Sequence, residues 1–159
     1  MTERSAGILL WRRGPEGREV WIGHMGGPYW ARKEERAWSI PKGLIAEGEE
    51  PLAAARREFA EEMGVPAPEL DYAELGGYRY SSGKTLTVFV AEAGGFDPGE
   101  IHGGLFELEW PPRSGRRQSF PEIDRAAWVA VDEAGTLLVA AQEPMLGDLE
   151  ILVRGAASG

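Results

Sequence analysis

The stretch GLIAEGEEPLAAARREFAEEMGV, residues 43–65, decides how this chain folds. Its second part predicts a helix over residues 50–63, because a proline stands in the first turn and a glycine followed by a second proline marks the end. Within two turns this helix carries Glu58, Glu61 and Glu62. Like charges three and four residues apart repel by roughly 0.2–0.5 kcal/mol per pair. Either neighbouring arginines or a bound cation must offset that repulsion.

A helical wheel separates an apolar stripe from the acidic cluster. At about 100° per residue, one narrow stripe collects Leu52, Ala55, Phe59 and Met63, which predicts that this face packs on the core. The three glutamates fall together in a neighbouring sector, at the boundary between core and solvent. Converging carboxylates are hard oxygen ligands, which suit Mg²⁺ or Mn²⁺ better than Zn²⁺.

The residues that lead into the helix supply a lysine, a glycine and a further glutamate to the candidate site. Gly43 permits a tight turn and leaves its carbonyl oxygen approachable, while Lys42 beside it is a point charge suited to phosphate. Glu49 stands eight residues before Arg57. We predict an ion pair between these two side chains that ties the loop to the helix and orients the glutamates.

Composition restricts the class of protein. The chain has 159 residues, 43% hydrophobic and 27% charged, which predicts one globular domain over 1–159. Without cysteine it has no disulfide, thiolate metal site or cysteine nucleophile. No apolar run is long enough to span a membrane and the charged start lacks a signal-peptide core, so we expect a cytoplasmic protein. A net charge of −9 argues against a general nucleic-acid-binding surface.

The rest of the sequence predicts strands around this helix. Apolar runs flanking turn residues indicate a hairpin over 6–13 and 19–25, and two strands within 72–93 joined by the turn SSGK. Further strands are predicted near 37–40 and at 105–110 and 126–131, a loop at 111–117, a helix at 132–142 with Asp132 as N-cap, and a short helix at 144–153. These elements describe one mixed domain of helices and strands.

Gly43, Glu49 and the run REFAEEMGV (57–65) stand at a specific spacing in the opening stretch. With this spacing the stretch resembles the signature of the Nudix hydrolase (MutT-like) superfamily. The resemblance implies an α+β Nudix fold, in which a curved mixed β-sheet is sandwiched between helices and residues 43–65 form a loop-helix-loop motif. Phe59 is bulkier than the usual aliphatic residue at its position. The segments GGPYWARK and AWSIPKG further resemble a bacterial subgroup of pyrophosphohydrolases for nucleoside triphosphates or dinucleoside polyphosphates.

The resemblance implies Mg²⁺-dependent hydrolysis of a diphosphate bond, with Mn²⁺ as an alternative ion. Bound ions would neutralise the diphosphate and lower the pKa of an attacking water. Glu58 and Glu62 would be the main ligands, and Glu61 a ligand or the base. The implied site comprises the metal ligands Gly43, Glu58, Glu61 and Glu62, with Arg57 and Glu49 holding them in place.

An additional acid outside the signature often assists in this family. The segment SFPEIDRAAW places Glu122 in the loop before the last strand, where such acids commonly lie. An exposed loop glutamate is the alternative interpretation of equal weight. Asp124 is the weaker candidate for the same role.

The loop before the signature carries candidates for substrate contacts. They are Arg32, Lys33, Arg36 and Lys42 as cations, and Tyr29, Trp30 and Trp38 as stacking groups. A basic cluster in an acidic protein suits a polyphosphate tail, and a solvated loop is the alternative. Trp38 alternates with Ile40 and so also fits the core. Gly26-Gly27-Pro28 either presents amides to phosphate or forms an ordinary turn, and we expect His24 to be structural.

Several functions are compatible with these features. We predict a pyrophosphohydrolase acting on a nucleotide or dinucleoside polyphosphate. The alternatives are a non-catalytic nucleotide sensor with the same fold and a hydrolase of another nucleoside diphosphate derivative, such as a nucleotide sugar or an oxidised nucleotide. The intact carboxylate set favours an enzyme. The net charge argues against an RNA-end hydrolase, although PPRSGRR (111–117) is locally basic. The exposed apolar content permits a homodimer.

Overall fold

The computed structural model describes residues 3–158, which contain nine strands and three α-helices. The strands are β1 Arg4–Gly14, β2 Gly17–Met25, β3 Trp38–Ser39, β4 Lys42–Leu44, β5 Ala73–Arg79, β6 Thr85–Glu92, β7 Leu105–Glu109, β8 Arg117–Pro121 and β9 Ile123–Ala130. The helices are α1 Pro51–Met63, α2 Val131–Leu137 and α3 Pro144–Ser158, with a 3₁₀ turn at Ala140–Gln142. In this described part of the chain, no helix has the length and apolarity needed to cross a membrane.

The helix α1 begins and ends where its sequence predicted. Glu50 is the N-cap, Pro51 occupies the first turn, and Gly64 adopts a left-handed conformation with φ of 76°. The Gly64 N–H donates to the Ala60 carbonyl oxygen at 2.9 Å, which closes the last turn. The predicted helix over 50–63 is therefore confirmed to within one residue.

One curved, mixed sheet contains seven of the strands. Its main order is β3-β2-β1-β6-β5, with β4 also paired to β1 and β9 to β2. Strand β1 runs antiparallel to β2 and parallel to β6, so both predicted strand pairs join through it. The predicted hairpin and the predicted pair within 72–93 are both present.

Helices cover both faces of this sheet. Successive side chains of β1 point to opposite faces, as in any strand. Ile8 and Leu10 belong to the core cluster that includes α1, whereas Leu9 and Trp11 belong to the cluster that includes α2 and α3. The predicted sandwich of a sheet between helices is thus confirmed.

Phe59 anchors α1 to the sheet. Its side chain is fully buried, and its ring centroid lies 5.6 Å from that of Phe96. Truncating a buried phenylalanine costs about 3–5 kcal/mol of folding free energy. This anchor fixes the rotation of the helix and thereby the direction in which Glu58 and Glu62 point.

Strands β7 and β8 form a separate two-stranded hairpin beside the main sheet. The sequence predicted β7 but not β8, because RQSFP is polar and lacks alternation. The hairpin packs on the loop after β2: a methyl group added at Gly26 would collide with the Pro121 carbonyl, and one added at Gly27 would lie 2.8 Å from the Phe106 ring. The Gly26-Gly27 pair is needed for this packing.

The C-terminal helices differ from their predictions. Helix α2 begins at Val131 with Ala130 as N-cap, so Asp132 lies inside the helix and caps nothing. Leu138 and Val139 are extended, which divides the predicted 132–142 helix into α2 and the 3₁₀ turn. Fully buried Leu138 packs in the core, and this tertiary contact overrides local helix propensity. Helix α3 is longer than predicted, with 15 residues.

Candidate active site

The Glu58 carboxyl group lies directly against the backbone of Gly43. Strand β4 runs beside α1, and a methyl group added at Gly43 would collide with the Glu58 carboxyl carbon and both of its oxygens. Only glycine leaves room for this approach. The first residue of the signature is therefore explained by a close contact with an acid two turns inside the helix.

Arg57 connects the loop to the acids of the helix. Its Nε and Nη2 donate to the two Glu49 carboxylate oxygens, each at 2.9 Å. Nη2 also donates to the Leu44 carbonyl oxygen at 3.0 Å, and Nη1 donates to Glu58 at 2.9 Å and to Glu61 at 3.2 Å. These five contacts match the five N–H donors of a guanidinium. The ion pair predicted from the spacing is present.

The Glu49 carboxylate is held as an anion by its donors. Hydrogen bonding from Arg57, followed by the backbone N–H of Ala46, lowers the pKa of Glu49 to about 2. The same ion pair raises the pKa of Arg57 above its usual value. Two charges locked in this way give the loop a fixed position relative to α1.

Glu62 is the most buried acid of the helix, with only 7% of its surface exposed. Its Oε1 accepts the Lys42 backbone N–H at 3.0 Å. Burial raises the pKa of Glu62 to about 8, and the neighbouring Glu122 and Glu58 add to the rise, while the Lys42 amide and ammonium oppose it. The sequence predicted a position at the edge of the core, and the side chain lies deeper than that.

Glu58 and Glu122 belong to the same electrostatic cluster. Burial raises the pKa of Glu58, against the lowering effect of the Arg57 hydrogen bond, and Glu61 and Glu122 raise it further. Glu122 repels the charges of both Glu58 and Glu62. The loop before β9 thus places Glu122 across from the helix acids.

Asp124 has a different place. Its carboxylate Oδ1 lies 2.9 Å from Nδ1 of His24, whose Nε2 donates to the Lys33 carbonyl oxygen at 2.7 Å. His24 is 1% exposed, so these two bonds hold a buried ring between β2, β9 and the loop. His24 is structural, as its position in a strand predicted, and Asp124 is its partner.

Lys42 lines two cavities. The first, of about 290 Å³, is formed by Met25, Gly26, Trp30, Ser39, Lys42, Glu62, Phe106, Glu122 and Ile123. The second, of about 350 Å³, is formed by Glu3, Ser5, Lys42, Gly43, Leu44, Tyr80, Ser82, Lys84, Thr85 and Leu86. The first cavity is therefore lined by acidic and aromatic side chains, and the second by two lysines and several residues with hydroxyl groups. Lys42, which precedes the signature, stands where the two cavities meet, and Gly43 lines only the second.

Three loop residues of the substrate prediction lie elsewhere. Arg32 and Lys33 are exposed and line neither cavity, and the Lys33 ammonium lies 5.5 Å from the centroid of the Trp30 ring. Trp38 is 4% exposed in the core, where Arg125 covers its ring, so the expectation that it stacks on a ligand is wrong. The alternation of Trp38 with Ile40 had indicated burial.

Arg36 is also engaged within the fold. It donates to the carbonyl oxygens of Gly135 and Leu138 at 2.8 and 3.0 Å, the unpaired carbonyls at the end of α2. This arginine caps a helix, which the sequence did not indicate.

Sequence reasoning missed Lys84 and Phe106. Lys84 stands in the turn between β5 and β6, where a lysine is ordinary, and it lines the same cavity as Lys42 only because β1 pairs with both β4 and β6. Phe106 alternates correctly within β7, but nothing local shows that the hairpin folds back on the loop. Only the strand pairing could have identified Lys84.

The donor set fits a hard divalent cation. Glu58 and Glu62 supply carboxylates near the Gly43 backbone, and a site of oxygen donors selects Mg²⁺ or Mn²⁺ over thiolate-binding metals. Within residues 3–158, no three acidic, histidine or cysteine side chains surround a common point closely enough to form a complete coordination shell. In the structure Arg57 binds Glu58 and Glu61, and the Lys42 amide binds Glu62.

Comparison with known sequences identifies one family. A sequence model described as the NUDIX domain matches residues 1–149. An RNA pyrophosphohydrolase of Bartonella henselae is 29% identical over 167 aligned positions, which cover 98% of this chain and 92% of that protein. An RNA pyrophosphohydrolase of Bartonella bacilliformis is 41% identical over a shorter stretch, 42% of this chain and 39% of that protein.

Solved structures share the fold at low identity. The C. elegans Ap4A hydrolase in a binary complex superposes with a TM-score of 0.68 at 18% identity, covering 95% of this chain and 98% of that one. The NUDIX domain of Shewanella oneidensis NrtR, complexed with ADP ribose, gives a TM-score of 0.66 at 12% identity, covering 96% and 89%. At such identities the likeness concerns the fold.

Proposed function

The chain belongs to the Nudix hydrolases, and from that premise we propose that it is a Mg²⁺-dependent pyrophosphohydrolase of nucleoside polyphosphates. Family membership supports hydrolysis of a phosphoric anhydride bond. The ion, the nucleotide substrate and the role of each residue are our proposal. The observation that carries it is the Glu58 carboxyl group packed on the bare backbone of Gly43, with Glu62 buried next to it.

The acids of α1 lie where a helix stabilises them least. Glu58, Glu61 and Glu62 occupy the last two turns, near the partially negative end of the helix dipole, and no basic residue stands in the last turn. Arg57 supplies one positive charge to this group. A divalent cation held by Glu58, Glu62 and the Gly43 carbonyl would supply the charge that the arrangement lacks.

When bound, the cation would neutralise the diphosphate and make water easier to deprotonate. Arg57, fixed by Glu49, orients Glu58 and Glu61 toward that position. The role of Glu62 is to place a second carboxylate in a buried, low-dielectric position, where its charge acts strongly on a cation.

Lys42 and Lys84 are the proposed cations for the phosphate chain. Lys42 lines both cavities, so its ammonium group can contact phosphates that pass from one to the other. The second cavity offers the Lys84 ammonium, which pairs with Glu3 at 3.0 Å, and the Ser82 hydroxyl to phosphates beyond the scissile bond. The Tyr80 hydroxyl accepts a hydrogen bond from Gln142 at 2.8 Å. Hydroxyl and ammonium donors suit phosphate oxygens, since phosphate only accepts hydrogen bonds.

Glu122 is the proposed proton acceptor. It lines the first cavity together with Glu62 and repels the charges of Glu58 and Glu62, which supports a place near the reacting centre. The water oxygen forms a bond to one phosphorus while the bridging P–O bond breaks. The water proton passes to the Glu122 carboxylate, and the departing phosphate carries the electron pair. Glu61 is the alternative acceptor.

The deciding experiment is a panel of nucleoside di-, tri- and tetraphosphates, dinucleoside polyphosphates and nucleotide sugars, incubated with Mg²⁺ and analysed by ion-exchange chromatography. Cleavage of an anhydride bond that stops with EDTA and in Glu58→Gln is the expected result. Binding of these compounds with no cleavage of any would instead indicate the non-catalytic sensor.

The sequence relatives favour a second candidate substrate, the 5′-polyphosphate end of RNA. The Bartonella henselae relative that matches nearly the whole chain carries the name RNA pyrophosphohydrolase. The net charge of −9 argues against an extended RNA-binding surface. Binding of a single terminal nucleotide, however, requires fewer basic residues. A 5′-triphosphorylated oligoribonucleotide compared with the free triphosphate separates the two substrates. A higher kcat/KM for the oligonucleotide would favour RNA.

A further inference from the structure

Two chemically different sets of side chains line the first cavity. Lys42, Glu62 and Glu122 form the charged set assigned above to phosphate and metal chemistry. The other set is apolar, and we name the space between Met25, Trp30, Phe106 and Ile123 the aromatic cleft. A nucleoside polyphosphate has groups suited to both sets, a phosphate chain for the charged one and a base for the apolar one.

The β7–β8 hairpin delivers Phe106 to the aromatic cleft. Phe106 packs on Gly27, whose φ of 94° and close ring contact both favour glycine. Its ring centroid lies 6.0 Å from that of Phe120 on the paired strand, and the Gly26 N–H donates to the Glu122 carbonyl oxygen at 2.9 Å. The hairpin therefore fixes an aromatic ring and the candidate proton acceptor together.

Trp30 is positioned by the loop after β2 and not by the β7–β8 hairpin. Its backbone N–H donates to the Gly27 carbonyl oxygen at 3.2 Å in a tight turn, and its indole packs partly on the core beneath the sheet. The Lys33 ammonium lies 5.5 Å from the ring centroid. These contacts give the indole a defined place.

Two polar groups near the aromatic cleft, the Met25 N–H and the Ser39 hydroxyl, are already engaged within the fold. The Met25 N–H donates to Ala37 at 3.0 Å. The Ser39 hydroxyl donates to the Ile40 carbonyl at 2.7 Å and accepts from Gln142 at 2.9 Å. Reading a base by its edge requires free donors and acceptors, whereas stacking requires only a ring face.

We propose that the aromatic cleft binds the nucleobase of the substrate by stacking, with Trp30 and Phe106 as the contacts, and that it accepts different bases with similar affinity. This inference rests on the proposed function, because it names the group at one end of a nucleoside polyphosphate. Each stacked base contributes about 1–3 kcal/mol, equivalent to about 5- to 150-fold in affinity.

Equilibrium binding tests the cleft without turnover. The probes are adenosine and uridine triphosphate analogues with methylene groups in place of both anhydride oxygens, and the matching base-free bis(methylene)triphosphate, titrated calorimetrically with Mg²⁺. Phe106→Leu keeps apolar bulk against Gly27 but removes the aromatic face, and Phe106→Tyr restores it. Leu105→Ala is the matched control, because Leu105 is 64% exposed on the same strand and does not line the cavity.

The expected result is binding of both nucleotide analogues about 5- to 150-fold weaker in Phe106→Leu and in Trp30→Leu. Binding of the base-free probe should be unchanged, and Phe106→Tyr and Leu105→Ala should bind like the wild type. Equal weakening for nucleotide and base-free probes, or no weakening in the Leu variants, would overturn the inference. A strong preference of the wild type for one base would overturn the claim of base tolerance.

Hydrolysis measured on the same proteins keeps the two proposals apart. If the wild type binds the analogues through the cleft but cleaves no anhydride, the proposed activity fails and the cleft assignment stands. If the wild type cleaves nucleotides and Phe106→Leu affects both probe types alike, the activity stands and the cleft assignment fails.

Discussion

Glu49 and Arg57 form a two-point ion pair, in which Nε and Nη2 of the guanidinium each lie 2.9 Å from a separate carboxylate oxygen. Nη1 of Arg57 donates to Glu58 and Glu61, so the loop acid is connected to the helix acids through one side chain. Planar two-point pairs fix orientation as well as distance. The positions of the candidate metal ligands therefore depend on a residue that does not itself touch the cavities.

Glu49→Gln should lower kcat by about 10- to 100-fold, because a neutral amide holds Arg57 less firmly and the helix acids lose their orientation. Steady-state kinetics on the preferred nucleotide measures this. Glu19→Gln is the matched control, since Glu19 forms a partly exposed ion pair with Arg12 away from the site. A Glu49→Gln enzyme with wild-type kcat would contradict the orienting role.

Glu58→Gln and Glu62→Gln should each lower kcat by at least about 10³-fold, since an anionic oxygen ligand is lost where charge must be neutralised. The variants should also bind Mn²⁺ more weakly, which electron paramagnetic resonance detects independently of turnover. Glu69→Gln, a change at an exposed acid paired with Arg56, should leave both measurements unaltered. Unchanged Mn²⁺ affinity in both site variants would remove these two acids from the metal assignment.

Gly43→Ala should lower kcat by at least about 10-fold, because the added methyl group takes the space of the Glu58 carboxyl group and displaces it. Gly77→Ala is the control, since a methyl group added there meets no neighbour within 4 Å. The two thermal unfolding midpoints should be compared as well. An active Gly43→Ala enzyme would show that the close approach is unnecessary for catalysis.

The stability of the metal-free protein should fall as pH rises from about 4.5 to 8. Glu62 has a folded-state pKa of about 8 against an ordinary glutamate pKa of 4.5, so in this window the folded state keeps a proton that the unfolded state has released. Stabilisation from this group is complete below pH 4.5 and disappears as pH passes 8. Glu58, whose pKa is also raised, acts in the same direction.

Thermal unfolding in EDTA between pH 5 and 8.5 measures this effect, at about 2–4 °C per kcal/mol for a chain of this size. Glu62→Gln should flatten the profile, and Mg²⁺ should raise the midpoint most at high pH, where the cation replaces the proton. Glu49 does not interfere, because its pKa of about 2 confines its effect to lower pH. A wild-type profile as flat as that of Glu62→Gln would contradict the raised pKa of Glu62.

Lys84→Met should raise KM more for a dinucleoside tetraphosphate than for a nucleoside diphosphate sugar, with little change in kcat. The reason is Coulombic, because each additional phosphate near a cation contributes roughly 1 kcal/mol when partly screened. The Arg32→Ala, Lys33→Ala double variant is the informative comparison, since these residues line neither cavity. A larger selective KM increase in the double variant would return the polyphosphate contact to the loop before the signature.

The local sequence was sufficient to predict those functional features that depend on residues within one element or one loop. The helix over 51–63, its acidic cluster and the Glu49–Arg57 pair follow from spacing, because helical periodicity and capping are short-range properties. Strand β1 and its hairpin partner were predicted for the same reason. The exposed or buried state of the acids was less accessible to prediction, since Glu62 is covered by β4 and by the loop that carries Glu122.

Tertiary structure alone decided which residues from distant segments share a cavity. Trp38 is removed from the site by burial, while Phe106 is brought to it by a hairpin that packs on Gly26 and Gly27. Lys84 lines the same cavity as Lys42, 42 residues earlier in the chain, because β1 pairs with both β4 and β6. Pairing between distant strands depends on the total apolar surface that they bury together. This quantity cannot be predicted from the sequence of any one strand. The signature thus identifies the chemistry, and the packing of strands and hairpin determines which ligand that chemistry can reach.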